Sequence, residues 1–178
     1  MKKTILALCV AAIPLVSTGA EYVTEGSWQV KKEENKMTDM TDVVAINRSP
    51  DVYMRQGIER TTSIILRCRE GKTEAYLSVD EYMGIDDPLI TIRLDGGKPQ
   101  KRRWSAAEGG EAAFSPKAIP FIKDISSHKK MILGFEPYGS TMQVVEFDLT
   151  GADSIAKEIS SSRSEEHTSE LQSPPSIS

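Results

Sequence analysis

The chain is poor in the residues from which catalytic and metal sites are usually built. It has 2 cysteines and 2 histidines among 178 residues. Cys9 falls in an amino-terminal leader and His167 in a polar tail, so the central region keeps only Cys68 and His128. That is too small a supply for a nitrogen- and sulfur-ligated transition metal. There is no HExxH, CxxC or GxSxG pattern and no glycine-rich phosphate loop. No cofactor and no enzymatic activity are therefore expected. Aromatic residues make up 6%. Basic charge is not in excess either: 22 Lys and Arg stand against 26 Asp and Glu. A nucleic-acid partner would call for a basic face, so none is expected.

The two ends are set apart from the rest. Lys2 and Lys3 precede an apolar run from Ile5 to Val16, followed by the small residues Thr18 and Ala20. The run is shorter than the ~20 residues of a membrane-spanning helix, and the whole reads as a secretory signal peptide over 1–20, cleaved after Ala20. A lipoprotein signal is disfavoured, because Leu8 precedes Cys9 inside the apolar run. No later apolar run is long enough to span a bilayer. At the other end, residues 163–178 are polar and rich in Ser and Pro, which predicts an irregular tail. RSEEHTSELQS, from Arg163 to Ser173, is also what a sequencing adapter encodes when translated. The tail is thus expected to be disordered or artefactual, with the natural carboxyl terminus missing.

Residues 21–162 are the size of one domain. Within them, 19 bases stand against 23 acids. The central stretch is Thr62–Arg93. Ile64, Leu66 and Cys68 alternate with Ser63, Ile65, Arg67 and Arg69. After Glu70-Gly71-Lys72, Ala75, Leu77 and Val79 alternate with Tyr76, Ser78 and Asp80. Such alternation marks half-buried strands joined by a hairpin. Ile90, Ile92 and Leu94 continue the pattern. Trp28 and Val30 predict an earlier strand, and Val43, Val44 and Ile46 a second. The run Lys31–Lys36 is expected as a solvated turn or strand edge, and 49–61 as irregular. Asp95-Gly96-Gly97 is a turn, and Trp104 and Phe114 bracket a hairpin turning at Glu108–Glu111.

Ser115 is expected to cap a helix with Pro116 in its first turn, and Ala118, Phe121, Ile122 and Ile125 on its buried face. Met131–Phe135 and Met142–Leu149 predict two more strands. Ala152–Ser160 predicts a closing helix with Ile155, Ala156 and Ile159 inward. The order implies an α+β fold: a β-rich antiparallel sheet or sandwich with one internal and one carboxy-terminal helix.

Several residues invite a chemical reading. Asp39 and Asp42 could hold a metal, but no calcium-loop pattern follows them, so a solvated loop is preferred. Lys98, Lys101, Arg102 and Arg103 could hold an anion, yet bases also protect edge strands. Glu108 with Glu111, or Asp86 with Asp87, have the composition of a glycosidase pair. They sit in turns without an apolar pocket, so solvation accounts for them. Cys68 and His128 could form a nucleophile and base. Cys68 lies mid-strand among apolar residues, which favours an inert thiol or a disulfide. His128 suits a helix carboxyl terminus. Catalytic, cofactor-binding and metal-binding residues are accordingly expected to be none.

Taken together, Trp28 and Val30, MTDMTDVV, ILRC (Ile65–Cys68), TEAYLSVDEYM (Thr73–Met83), TIRLD (Thr91–Asp95), RRWS (Arg102–Ser105) and VEFDLTGADSIAKEI (Val145–Ile159) resemble the VasI/TagO-like proteins. These are periplasmic accessories of type VI secretion systems, with related small secreted proteins in prophages. The resemblance spans nearly all of 28–159 and contains no catalytic signature. It implies a periplasmic, non-enzymatic accessory acting on an envelope or secretion-apparatus protein. The alternative is a small secreted envelope-binding or inhibitor module. The resemblance also implies that Cys68 pairs with a cysteine after the final helix, a residue that this chain does not contain.

Overall fold

A computed structural model describes residues 21–38 and 40–169. Residues 1–20, read above as a signal peptide, lie outside the described residues. The observed fold has the expected class: antiparallel β-structure with one internal and one carboxy-terminal helix.

The larger sheet has seven strands in the order β1-β2-β3-β6-β7-β11-β10. These are β1 (Val23–Glu25), β2 (Trp28–Asn35), β3 (Met40–Arg48), β6 (Thr62–Arg69), β7 (Lys72–Val79), β11 (Ala112–Phe114) and β10 (Ser105–Ala106). At its centre, β6 and β7 pair from Thr62↔Val79 to Arg69↔Lys72. The tight turn puts Glu70 at φ 48° and Gly71 at φ 72°. Both residues are left-handed, the geometry whose twist matches that of the flanking strands. The register lines up Val30, Ala45, Leu66 and Ala75 across four strands, all buried. The period-2 pattern read from the sequence is thus the inner face of this sheet.

The second sheet has the order β13-β12-β8-β9, from β8 (Leu89–Leu94), β9 (Gln100–Arg103), β12 (Lys130–Phe135) and β13 (Gln143–Asp148). Strand β8 follows β7 in the chain but leaves its sheet and pairs with β12 and β9. Its Ile90 and Ile92 join Met131, Leu133, Phe135, Val145 and Phe147 in the same core as the inner face of the larger sheet. The chain then returns: β9 belongs to the smaller sheet and β10 to the larger. Trp104 sits at the corner, 1% exposed, edge-on to Phe121 at 5.2 Å.

Helices α1 (Ala118–Ser126) and α2 (Ala152–Ser169) pack on each other; α1 lies against β7 and α2 against β3 and β6. Phe121, Ile122 and Ile125 are buried as their spacing predicts. Ile155 and Ile159 anchor α2, each at about 1.5–3 kcal/mol of burial.

Of the two readings of Lys31–Lys36, the strand edge holds for Lys31–Asn35: it pairs with β3 from Lys31↔Val44 to Asn35↔Met40, while β1 reaches no further than Val30. Three local expectations are corrected. The segment 49–61 is not irregular: β4 (Tyr53–Arg55) and β5 (Ile58–Arg60) form a small hairpin of their own. Ser115 does not cap α1. Its N–H donates to Ala75 O at 2.8 Å, so the helix starts at Ala118, with Lys117 at its head and no side-chain cap. Finally, α2 runs to Ser169, beyond the Ser160 end expected for it; residues 170–178 lie outside the described residues. A helix already nucleated and anchored extends at little cost through a stretch free of Pro and Gly.

Candidate functional site

The residues singled out for chemistry take structural places. Cys68 is 1% exposed on the core face of β6, level with Val43 and Thr73. His128 lies at the carboxyl end of α1, its Nδ1 2.7 Å from Asp124 O and 3.2 Å from Ser127 Oγ. One is interior and the other terminates a helix. Asp39 lies outside the described residues. Asp42 accepts from the Glu70 N–H at 2.9 Å and pairs with Arg69 at 3.4 Å, tying the β6–β7 turn to β3. Asp87 accepts from the Ala106 N–H at 3.0 Å, while Asp86, Glu108 and Glu111 are exposed. Lys101, Arg102 and Arg103 of the basic cluster fall on β9, an edge strand as expected, while Lys98 precedes it. There Arg102 reaches Asp124 at 3.3 Å and Arg103 donates to Asp87 O at 3.1 Å. No cluster of three metal-ligating side chains occurs among the described residues.

The residues that do come together are ones the strand pattern passed over. Four connections meet at one end of the two sheets: the β4–β5 hairpin, the β7–β8 connection, the β10–β11 turn and the β12–β13 turn. Their backbones are bonded to one another. Asp80 N–H donates to Thr61 O at 3.2 Å, Met83 N–H to Gly110 O at 2.7 Å and Tyr138 N–H to Tyr82 O at 3.0 Å. Gly110 lies under the Tyr82 ring, where an added Cβ would meet ring carbon at 2.5 Å. Arg55 pairs with Glu81 and also donates to Tyr138 O at 2.9 Å. Tyr53 lies edge-on to the core ring of Phe135, centroids 5.9 Å apart. Its hydroxyl donates to Glu81 Oε2 at 3.3 Å. Burial, then the adjacent Glu81 carboxylate, push the Tyr53 phenol up to about 12.

On this braced base sits an apolar and aromatic surface. Tyr82 and Tyr138 contact each other with ring centroids 5.7 Å apart. Both are open to solvent, at 43% and 68%, as are Ile85 at 81% and Met54 at 64%. Exposed tyrosines on a rigid platform can bury area against a partner with little loss of side-chain freedom. A groove of about 550 Å³ between Trp104, Pro116 and Pro120 lies elsewhere, and its Arg102 and Asp124 are paired with each other. The exposed aromatics were visible in the sequence as tyrosines in turn segments. Their convergence was not, since it depends on four connections distant in sequence.

Neither protein-family models nor curated proteins match this chain. Among solved structures, the crystal structure of invasion associated protein B from Bartonella henselae is similar, with a TM-score of 0.54 and 12% sequence identity. The match covers 81% of this chain and 97% of that one. At that identity the likeness is one of fold. Among the described residues no helix is long and apolar enough to cross a membrane.

Proposed function

We propose that this chain is a secreted periplasmic accessory of a type VI secretion system, non-enzymatic and acting through protein contacts. The observation that carries the contact role is the Tyr82–Tyr138 surface, exposed on loops that are hydrogen-bonded into one unit. The system itself is suggested by the VasI/TagO-like residues of 28–159, and the compartment by the leader at 1–20. A second reading draws on the match to invasion associated protein B over 97% of that chain. The shared fold accounts for nearly all of that chain, so an envelope-binding or inhibitor module built from this one fold is the second reading.

Deletion of the gene followed by an effector-secretion assay separates the two. The proposal expects secretion to fall on deletion and to return with the wild-type gene. Undiminished secretion in the deletion strain overturns it and leaves the envelope-binding reading.

A further inference from the structure

The three connections around the tyrosines, 80–88, 107–111 and 136–142, carry seven carboxylates and no lysine or arginine. Without those seven, residues 21–162 hold 16 acids against 19 bases. The acidity of the domain is therefore concentrated at this one end. Three arginines from neighbouring strands reach this end, and each is already engaged: Arg55 with Glu81, Arg60 with Asp80 at 3.8 Å, and Arg103 with Asp87 O at 3.1 Å. Asp86, Glu108 and Glu136 are exposed. Tyr82, Ile85 and Tyr138, carried on the same connections, are exposed as well.

We infer that this end docks a basic protein surface that presents an apolar knob between its lysines or arginines. The inference rests on the contact role proposed above and names the chemistry of the partner. An acidic rim steers a basic partner and repels acidic ones. The aromatic centre supplies area that charge alone does not. Because the carboxylates stand on hydrogen-bonded turns, their positions are set before the partner arrives, which lowers the cost of association. A phospholipid surface is disfavoured on the same ground, since its anionic headgroups would face a like-charged rim.

The test uses the full mature chain and two synthetic helical peptides, one with a leucine and tryptophan face flanked by lysines, the other with the lysines replaced by glutamates. Binding is followed by fluorescence anisotropy at low and high salt. The lysine peptide should bind, and added salt should weaken it. I85S/Y138S should weaken it by roughly tenfold or more, as expected when an interface loses its anchors. D86K/E108K should also weaken it. E34K/E70K, at the opposite end of the larger sheet, should not. Thermal melts confirm that each variant is folded; the altered side chains are all exposed. Failure to bind, equal binding of the glutamate peptide, or equal loss in E34K/E70K overturns the inference. Effector secretion separates this from failure of the contact role. If I85S/Y138S loses secretion and D86K/E108K keeps it, the surface stands and the basic partner falls. If both retain secretion, the contact role falls as well.

Discussion

Gly26 and Gly151 meet backbone to backbone, joining the first hairpin to the entrance of the last helix. A Cβ on Gly26 would collide with Thr150 O and lie 2.9 Å from Gly151 N. A Cβ on Gly151 would lie 2.7 Å from Glu25 O. Their φ angles are 59° and 90°, so a side chain is opposed by backbone conformation as well as by space. The Ser27 N–H donates to Thr150 O at 2.9 Å across the same contact. G26A and G151A should each lower stability by about 1–3 kcal/mol. The double variant should cost less than the two singles added, because one separation relieves both clashes. Thermal or urea melts of the three variants check this. A G26A protein as stable as wild type would show that the two backbones do not need this approach.

The break between the strand ending at Leu149 and the helix beginning at Ala152 was readable in the sequence, and so were the strands of Ile64–Cys68 and Ala75–Val79, whose alternation is local. What local pattern does not specify is the partner. Ile90 and Ile92 alternate just as Leu77 and Val79 do, yet they belong to the other sheet. The hairpin at Tyr53–Arg60 was missed because strands of three residues carry too few positions to show a period. Ser115 and Pro116 have the residue types of a helix start, but a backbone bond from Ser115 to Ala75 holds Ser115 in the strand ladder. The candidate surface was legible least of all. Tyr82 and Tyr138 are far apart in sequence, and only the folding of both connections brings their rings together.

Tyr53 should give the protein a distinct alkaline limb. Its phenol is raised in the folded state from 10.0 to about 12, so folding favours the protonated form. This contribution is complete below pH 10 and is lost as pH rises through about 12. Stability should therefore fall more steeply over that interval in wild type than in Y53F. The check is a set of urea midpoints between pH 9 and the highest reversible pH, with parallel curves for the two proteins as the contrary outcome.

Asp95 works in the opposite direction. The N–H groups of Lys130 and Lys129 donate to its carboxylate at 2.8 and 3.0 Å. Led by the Lys130 bond, these hold its carboxyl below the ordinary 3.8. Its stabilisation is present above that value and is lost as pH falls through the lower folded value. D95N should therefore be less stable than wild type at neutral pH, with the gap closing in acid. Urea midpoints from pH 7 down to pH 2 measure it, and a gap independent of pH would refute the assignment.

The open edge of β13 is sealed by side chains from the end of β3 and the segment after it. Asn47 is 1% exposed, and its Nδ2 donates to Asp148 O at 2.6 Å. Ser49 Oγ donates to Glu146 O at 2.7 Å, and the Glu146 N–H donates to Asp51 Oδ2 at 2.7 Å. Three polar side chains thus replace the strand that would otherwise pair here, joining the two sheets and occupying an edge that could recruit another chain. N47A leaves Asp148 O without this donor and should cost about 1–3 kcal/mol. S49A, which removes the bond to Glu146 O and the one that Ser49 Oγ accepts from the Asp51 N–H at 3.1 Å, should cost about 1–2 kcal/mol. D51A should cost little in stability by comparison, since the freed Glu146 N–H lies at an exposed bond and can turn to water. Its effect should instead appear as association, because a strand edge is newly open. Light scattering over a concentration series compares D51A with S49A: more association in D51A supports an edge seal, and equal behaviour reduces these contacts to ordinary packing between the sheets.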